Sequence, residues 1–208
     1  MITLYTYNTI NGQVAELVLH CLEQPHQIKT VDLMKGEQRS AEFLKMNPSG
    51  RIPVLVDPAE RDGRDKPLVV SQTGAIVTYL GRQYGDAWYP QNESSRSQVD
   101  EWIWFQLTDI STNLFNNFYL KSLIEVPQPE AANVLRDRAL DFYQVFDQAL
   151  KVRAYLTGSD MTLADLVSFP VVHASAKYGL TDRYAGLKRW YRDMQADLKI
   201  RSWLDRLR

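Results

Sequence analysis

One thiol, three imidazoles and a few short clusters of hydroxyl, amide and guanidinium groups hold most of the chemistry open to this chain. Cys21 is the only cysteine, so no internal disulfide can form. It recurs with Val14, Leu17 and Val18 at i, i+3, i+4, i+7, which places it on the apolar face of a helix as a buried thiol, with a redox role as the alternative. His20 and His26 are close in sequence, but no Cys or further His stands at ligand spacing, so no metal site is expected. Thr162-Leu-Ala-Asp165 has the spacing of a capping box, with the Thr hydroxyl accepting the N3 amide and the Asp165 carboxylate reaching back. Capping accounts for both polar residues, and a catalytic acid at Asp165 is the weaker reading. Gln72 and Thr73 stand where a helix should begin, and Thr9 and Asn11 stand just before another. A helix N-terminus offers unpaired amides and partial positive charge, which suits an anion. Thr73 and Asn11 could equally serve only as caps.

These groups need elements to hold them. Ile2–Tyr7 is rich in β-branched and aromatic residues and reads as a strand. Val14–Leu22 reads as a helix and Gln27–Leu33 as a second strand. Ser40–Met46 reads as a short helix stopped at Asn47-Pro48. Ile52–Val56 and Leu68–Val70 are short strands joined by the charged loop Asp57–Lys66, and Gly74–Arg82 closes the half as a helix. The order β-α-β-α-β-β-α implies a parallel right-handed β-α-β unit followed by an antiparallel hairpin, hence a mixed four-stranded sheet. Residues 84–95 are polar and rich in breakers and read as a linker. Beyond them only helices are predicted: an aromatic-rich one over Gln98–Leu120, one over Pro129–Leu150, one from about Thr162 and one over Ala185–Asp197. Most of Trp102, Trp104, Phe105, Phe115 and Phe118 are expected in the core. The domains read as 1–83, a linker 84–95 and an all-helical 96–208.

Composition narrows the class. Lys plus Arg is 24 against 25 Asp plus Glu, a net charge of -1, which argues against nucleic acid as a partner. No apolar run reaches the ~18–20 residues of a membrane span, so no membrane association is expected. The first residues show no basic and apolar leader pattern, and with a single cysteine a reducing cytoplasm is the expected location.

Four features in order then resemble the glutathione transferase superfamily: a thioredoxin-like first domain, Arg51-Ile52-Pro53-Val54-Leu55, Val70-Ser-Gln72-Thr73-Gly-Ala-Ile76, and the capped Gly158–Leu166 segment. Asn8–Gln13 together with Val31–Gln38 is most similar to the bacterial nu-class branch, often described as glutathione-dependent disulfide-bond reductases. That branch tends to have Thr-Pro-Asn at Thr9-Ile10-Asn11, Glu-Ser at Gln72-Thr73, and no tyrosine at Tyr7.

The resemblance implies a thioredoxin-like first domain, a helical second domain, a homodimer, and glutathione as cosubstrate with no metal. It implies a cis bond before Pro53, so that the Ile52 backbone pairs with the tripeptide as an added strand. Gln72 and Thr73 would hold the γ-glutamyl end, with Gln38 and Arg51 near the glycyl carboxylate. Arg51 is favoured there because its donor fork matches a carboxylate. Thr9 and Asn11, or Tyr7 in their place, would stabilise the thiolate, which would attack a disulfide, a peroxide or an electrophilic carbon in an apolar cleft between the domains. The alternative is a binding or partner-interaction protein of the same fold without catalysis.

Overall fold

The structure is a computed structural model that describes residues 1–176, 178–179 and 181–207. Arg208, the end of the helical domain expected from the sequence, lies outside the described residues. The chain divides into two compact units, Met1–Asp86 with the segment from Leu198 onward, and Ala87–Asp197.

The first unit opens with β1 (Ile2–Thr6), α1 (Ile10–Cys21) and β2 (His26–Thr30). A 3-10 turn over Glu37–Arg39 leads to α2 (Ala41–Met46). Then come β3 (Val54–Arg61), β4 (Pro67–Ser71) and α3 (Thr73–Tyr84). The sheet order is β2-β1-β3-β4, with β1 and β2 parallel and the other two pairs antiparallel. This is the mixed four-stranded sheet the element order implied. Leu4, Val54 and Leu55 are fully buried, as are Leu17, Val18 and Leu19 of α1 and Ile76, Val77 and Leu80 of α3. Cys21 is buried on α1.

Boundaries moved where a cap outranked apolar periodicity. Helix α1 starts at Ile10, because the Thr9 hydroxyl accepts the Gly12 amide at 3.2 Å and makes Thr9 the N-cap. Asn11 is therefore in the first turn and is not the cap. Strand β3 runs to Arg61, through half of the stretch read as loop. Asp57 within it is 1% exposed and accepts the hydroxyls of Tyr84 at 2.7 Å and Tyr79 at 2.8 Å.

Helix α9 (Leu198–Arg206) groups with this first unit rather than with the helical domain in which its sequence position put it. It buries Ile200 and Trp203 and also makes polar bonds to α1. Lys199 Nζ donates to the Cys21 carbonyl at 2.9 Å, and the His20 ring bonds the Lys199 carbonyl at 3.0 Å. No periodic pattern in the α1 sequence announces those two bonds.

The second unit is helical. Helix α4 (Glu93–Trp104) continues through a π-helical segment, Phe105–Ser111, into α5 (Thr112–Ser122). The Asn92 side chain accepts the Ser95 amide, so the connection ends before residue 95 as a helix cap. Helices α6 (Pro129–Val152), α7 (Leu163–Ala176) and α8 (Ala185–Ala196) follow. Every residue of α7 from Leu163 to Val172 is buried, as expected of a helix that is apolar on all sides. Trp102 and Phe105 are half-buried against Phe146, with ring centroids 5.3 and 5.7 Å away. Trp104, Phe115 and Phe118 are exposed, against the expectation that most of that set is core.

Helices α6 and α8 cap one another. Asp147 of α6 accepts the amides of Gly186 at 2.7 Å and Leu187 at 3.2 Å in the first turn of α8. Arg189 of α8 donates back to the Leu150 and Arg153 carbonyls near the end of α6. Asp165 receives the amides of Thr162 and Leu156 and the Trp190 indole N–H. The Thr162 hydroxyl donates to this carboxylate at 3.1 Å instead of accepting from the third residue, so only half of the expected capping box forms. All of these bonds are structural, and Asp165 is fully buried.

Candidate functional site

Sheet register brings the candidate residues of the first unit to one end. Val54 pairs with Tyr5 on one side and Ser71 on the other. Because β3 is antiparallel to both neighbours, its first residues lie beside the last residues of β1 and β4. Three segments therefore meet there: Tyr7–Asn11 leaving β1, Ile52-Pro53 entering β3, and Gln72-Thr73 leaving β4. Thr6 pairs with Thr30, and the Val31 amide donates to the Thr6 carbonyl at 2.8 Å, so the loop leading to Gln38 also departs from this end.

Each segment has a local cause. Gly12 is buried in the first turn of α1, and a Cβ there would run into the Tyr7 carbonyl and the Thr6 hydroxyl. Only glycine lets the helix N-terminus sit this close to the end of β1. The Thr9 amide donates to the Tyr7 carbonyl at 2.7 Å and closes the turn. Thr9 accepts the Gly12 amide, which leaves its own hydroxyl proton to be donated elsewhere.

The Ile52–Pro53 peptide bond is cis. Asn47 holds the turn before it. Its Nδ2 donates to the Arg51 carbonyl at 2.6 Å, while its Oδ1 accepts the Ser49 amide and hydroxyl. Asn47 is buried, and Gly50 follows in the left-handed region at φ 61°. Pro53 is buried, Ile52 half-buried and Arg51 exposed. The backbone of Gln38 packs against Gly50, where a Cβ would lie 3.1 Å from the Gln38 carbonyl. The Gln38 side-chain Oε1 is buried with no hydrogen-bond partner among the described residues. A buried acceptor left alone is a place for a donor brought by a bound molecule.

Gln72 is exposed and has φ 75°, a costly conformation for a side-chain-bearing residue and one that concentrates at functional sites. It turns the chain from β4 into α3, whose first turn has no side-chain cap and no acidic residue. The first turn of α1 likewise has no acidic residue. Two helix N-termini thus offer partial positive charge at the same end of the sheet. Thr73 is buried at the first position of α3. Amides at two helix starts suit an anionic group, the peptide edge at Ile52 suits an extended backbone, and the orphaned Gln38 Oε1 suits an N–H donor on the same molecule.

Sequence reasoning missed two supports of the site. Asn47 was legible only as a helix stop before Pro48. The carboxylate Asp57 braces β3 against α3 through Tyr79 and Tyr84. Burial alone would raise the Asp57 carboxyl, but the hydrogen bonds from Tyr84, the Ala59 amide and Tyr79 outweigh it and hold it below its ordinary value. Burial and the neighbouring carboxylate push both phenols up.

The profile described as glutathione S-transferase, N-terminal domain, matches residues 11–83, and the one described as glutathione S-transferase, C-terminal domain, matches residues 108–206. The chain belongs to the glutathione S-transferase family. Disulfide-bond oxidoreductase YfcG of Escherichia coli is 28% identical over 192 residues, which is 92% of this chain and 88% of that protein. Glutathione S-transferase theta-2 of Mus musculus is 32% identical over 184 residues, 84% of this chain and 72% of that one. Among solved structures, a glutathione transferase homolog from Lodderomyces elongisporus, described with two glutathione molecules per subunit, superposes with a TM-score of 0.89 at 26% identity. That match covers 98% of this chain and 97% of the other. The family and the fold are those the motifs resembled.

Among the described residues no group of three His, Cys, Asp or Glu side chains is placed to hold a metal ion. No described helix is long and apolar enough to cross a membrane.

Proposed function

We propose that this chain is a glutathione-dependent transferase or reductase that uses glutathione's sulfur, not its own. The observation that supports this most directly is the convergence of the Ile52-Pro53 edge with two acid-free helix N-termini at one end of the sheet. Bound glutathione supplies a nucleophilic thiolate for attack on a disulfide, a peroxide or an electrophilic carbon. The chain's own residues hold and orient it. The Ile52 amide and carbonyl pair with the cysteinyl unit. The first amides of α3 and the Thr73 hydroxyl hold the γ-glutamyl carboxylate, and Gln72 accepts from the γ-glutamyl amine. Arg51 and Gln38 serve the glycyl end. The Thr9 hydroxyl and the Asn11 amide, with Tyr7 as the rival donor, face the task of keeping the sulfur anionic at the start of α1.

Disulfide reduction is the favoured reaction within this class. Its support is the similarity to a disulfide-bond oxidoreductase; with no cysteine in the first turn of α1, any exchange uses glutathione's sulfur. We take the protein to be a cytoplasmic homodimer, its domains divided near residues 84–95. Sedimentation equilibrium tests the dimer.

The decisive test is retention on immobilised glutathione with release by free glutathione, together with glutathione-dependent turnover of hydroxyethyl disulfide. Retention with turnover supports an enzyme. Retention without turnover on any disulfide, peroxide or electrophile returns the reading to a binding protein of the same fold. Absence of both overturns the proposal.

A further inference from the structure

At the other end of the same sheet the structure holds a cleft of about 490 Å³ that no part of the proposed reaction uses. Its walls are the last turn of α1, the residues entering β2, and one face of α9. His26 pairs with Ile2 at the start of β1, so the strand length separates this cleft from the Tyr7–Asn11 turn. Leu198, Ser202 and Arg206 line it at i, i+4 and i+8 along α9. His20, Glu23, Gln24, Pro25 and His26 face them.

The charges in the cleft do not balance. Among the described residues that line it, Glu23 is the only one with a carboxylate side chain, and it is tied to Lys199 at 2.8 Å. That leaves Arg206 and two imidazoles. Each imidazole has a fixed tautomer, because its partner is a carbonyl, which can only accept. His20 must carry a proton on Nε2 to bond the Lys199 carbonyl, and His26 a proton on Nδ1 to bond the Gln24 carbonyl at 2.6 Å. The second nitrogen of each neutral ring therefore carries the lone pair. Burial, the Arg206 charge and His26 hold His20 below its ordinary value, while the Lys199 carbonyl and Glu23 oppose them.

We propose that this cleft binds a small organic phosphate, gripped by Arg206 and by His20 and His26 in their protonated forms. Three donors from three different elements, α1, β2 and α9, surround the space. A tetrahedral phosphate can give each its own oxygen, whereas a planar carboxylate has two oxygens to share. The volume falls within the ~300–1,000 Å³ of small-molecule sites and leaves room for an organic body beside Pro25 and Leu198. Binding takes up protons, because the anion stabilises the charged rings.

The test uses the whole chain and phenyl phosphate as the probe, with inorganic phosphate and phenol as controls. Ring resonances of His20 and His26 are followed by NMR through a pH titration. The expected result is saturable binding of phenyl phosphate in the millimolar range or tighter, with the His20 midpoint raised by about one unit, equivalent to ~tenfold tighter binding to the protonated ring. Arg206→Gln should weaken binding at least several-fold, and Arg206→Lys should restore part of it. The thermal midpoints of both variants report whether α9 still docks. No saturable shift in a folded protein overturns the proposal. So does binding that Arg206→Gln leaves unchanged, or phenol binding as well as phenyl phosphate. Inorganic phosphate binding as tightly as phenyl phosphate would overturn the organic ligand and leave a bare anion site. None of these readouts involves glutathione, so failure here and failure of the proposed function are separate results.

Discussion

Asn47 reaches forward over the Ser49–Gly50 turn and donates its amide to the Arg51 carbonyl at 2.6 Å, one peptide before the cis Ile52–Pro53 bond. Its side-chain oxygen accepts the Ser49 amide and hydroxyl. One buried side chain therefore fixes the backbone that is proposed to pair with the tripeptide.

Asn47→Ala should cost about 1–3 kcal/mol of stability, because the Arg51 carbonyl and the Ser49 amide lose their partner. If Asn47 also positions the Ile52 edge, the KM for glutathione rises by more than kcat falls. Urea denaturation and steady-state kinetics on the same variant check both parts. An unchanged KM in a destabilised variant would confine Asn47 to a folding role.

The thiolate donor is open to three parallel substitutions. Thr9→Val keeps the shape but removes the proton that the hydroxyl can donate, and it should raise the pKa of the bound thiol by about one unit, ~1.4 kcal/mol. It also removes the cap on Gly12, so its stability should drop by about 1 kcal/mol. Thr9→Ser should restore both properties. Tyr7→Phe and Asn11→Ala are measured alongside by thiolate absorbance. A shift confined to Tyr7→Phe assigns the phenol, and no shift in any of them assigns the α1 N-terminus itself.

Gln72→Glu replaces a neutral acceptor by a charged one toward the γ-glutamyl ammonium. Charge-assisted hydrogen bonds are roughly twice as strong as neutral ones. The expected outcome is glutathione affinity increased several-fold by calorimetry. Weaker or unchanged binding would show that residue 72 acts through its turn at φ 75° rather than through its side chain.

Gly12→Ala should be among the most damaging single changes in the first unit. The added methyl meets the Tyr7 carbonyl, which is backbone and cannot swing aside. Overpacking of this kind costs typically about 1–3 kcal/mol. Gly186→Ala is the counterpart in the second unit, since its Cβ would come within 2.7 Å of the Asp147 carbonyl. Thermal denaturation of both variants measures the effect.

Acid should destabilise the protein partly through Asp57 and Asp147. Burial would raise the Asp147 carboxyl, but Lys151 and the amides of Leu187 and Gly186 outweigh it, and the net shift is downward. Asp57 is shifted downward too. A carboxyl whose folded value lies below its unfolded value contributes stability above the unfolded value, about 3.9, and loses it as pH falls through the folded one. Denaturant midpoints should therefore fall below about pH 4, and the fall should be shallower in Asp147→Asn.

Much of this protein was written locally. The βαβ opening, the hairpin and the helical second half follow from periodicity and breakers, because strand and helix periods are set within a few residues. The motifs carried the family for the same reason, each being a short run with its own spacing. Caps moved the boundaries: Thr9 rather than Asn11 starts α1, and Asn92 starts α4 within the presumed linker. Both signals were present, but a cap shows itself only when its hydroxyl or amide oxygen finds the right N–H.

Tertiary structure alone decided the rest. Asp57 lay in a charged stretch, and besides the nearby Ala59 amide it is the phenols of Tyr79 and Tyr84, 22 and 27 residues later, that offset its burial. Helix α9 groups with the first unit, burying Ile200 and Trp203 and bonding His20, Cys21 and Glu23, residues almost 180 positions away. Strand register placed residues 7–11, 52–53 and 72–73 at one sheet end. The chain encodes which residues can cap, pair or turn, but a buried charge or a shared site needs a partner distant in sequence, and only folding brings that partner into range.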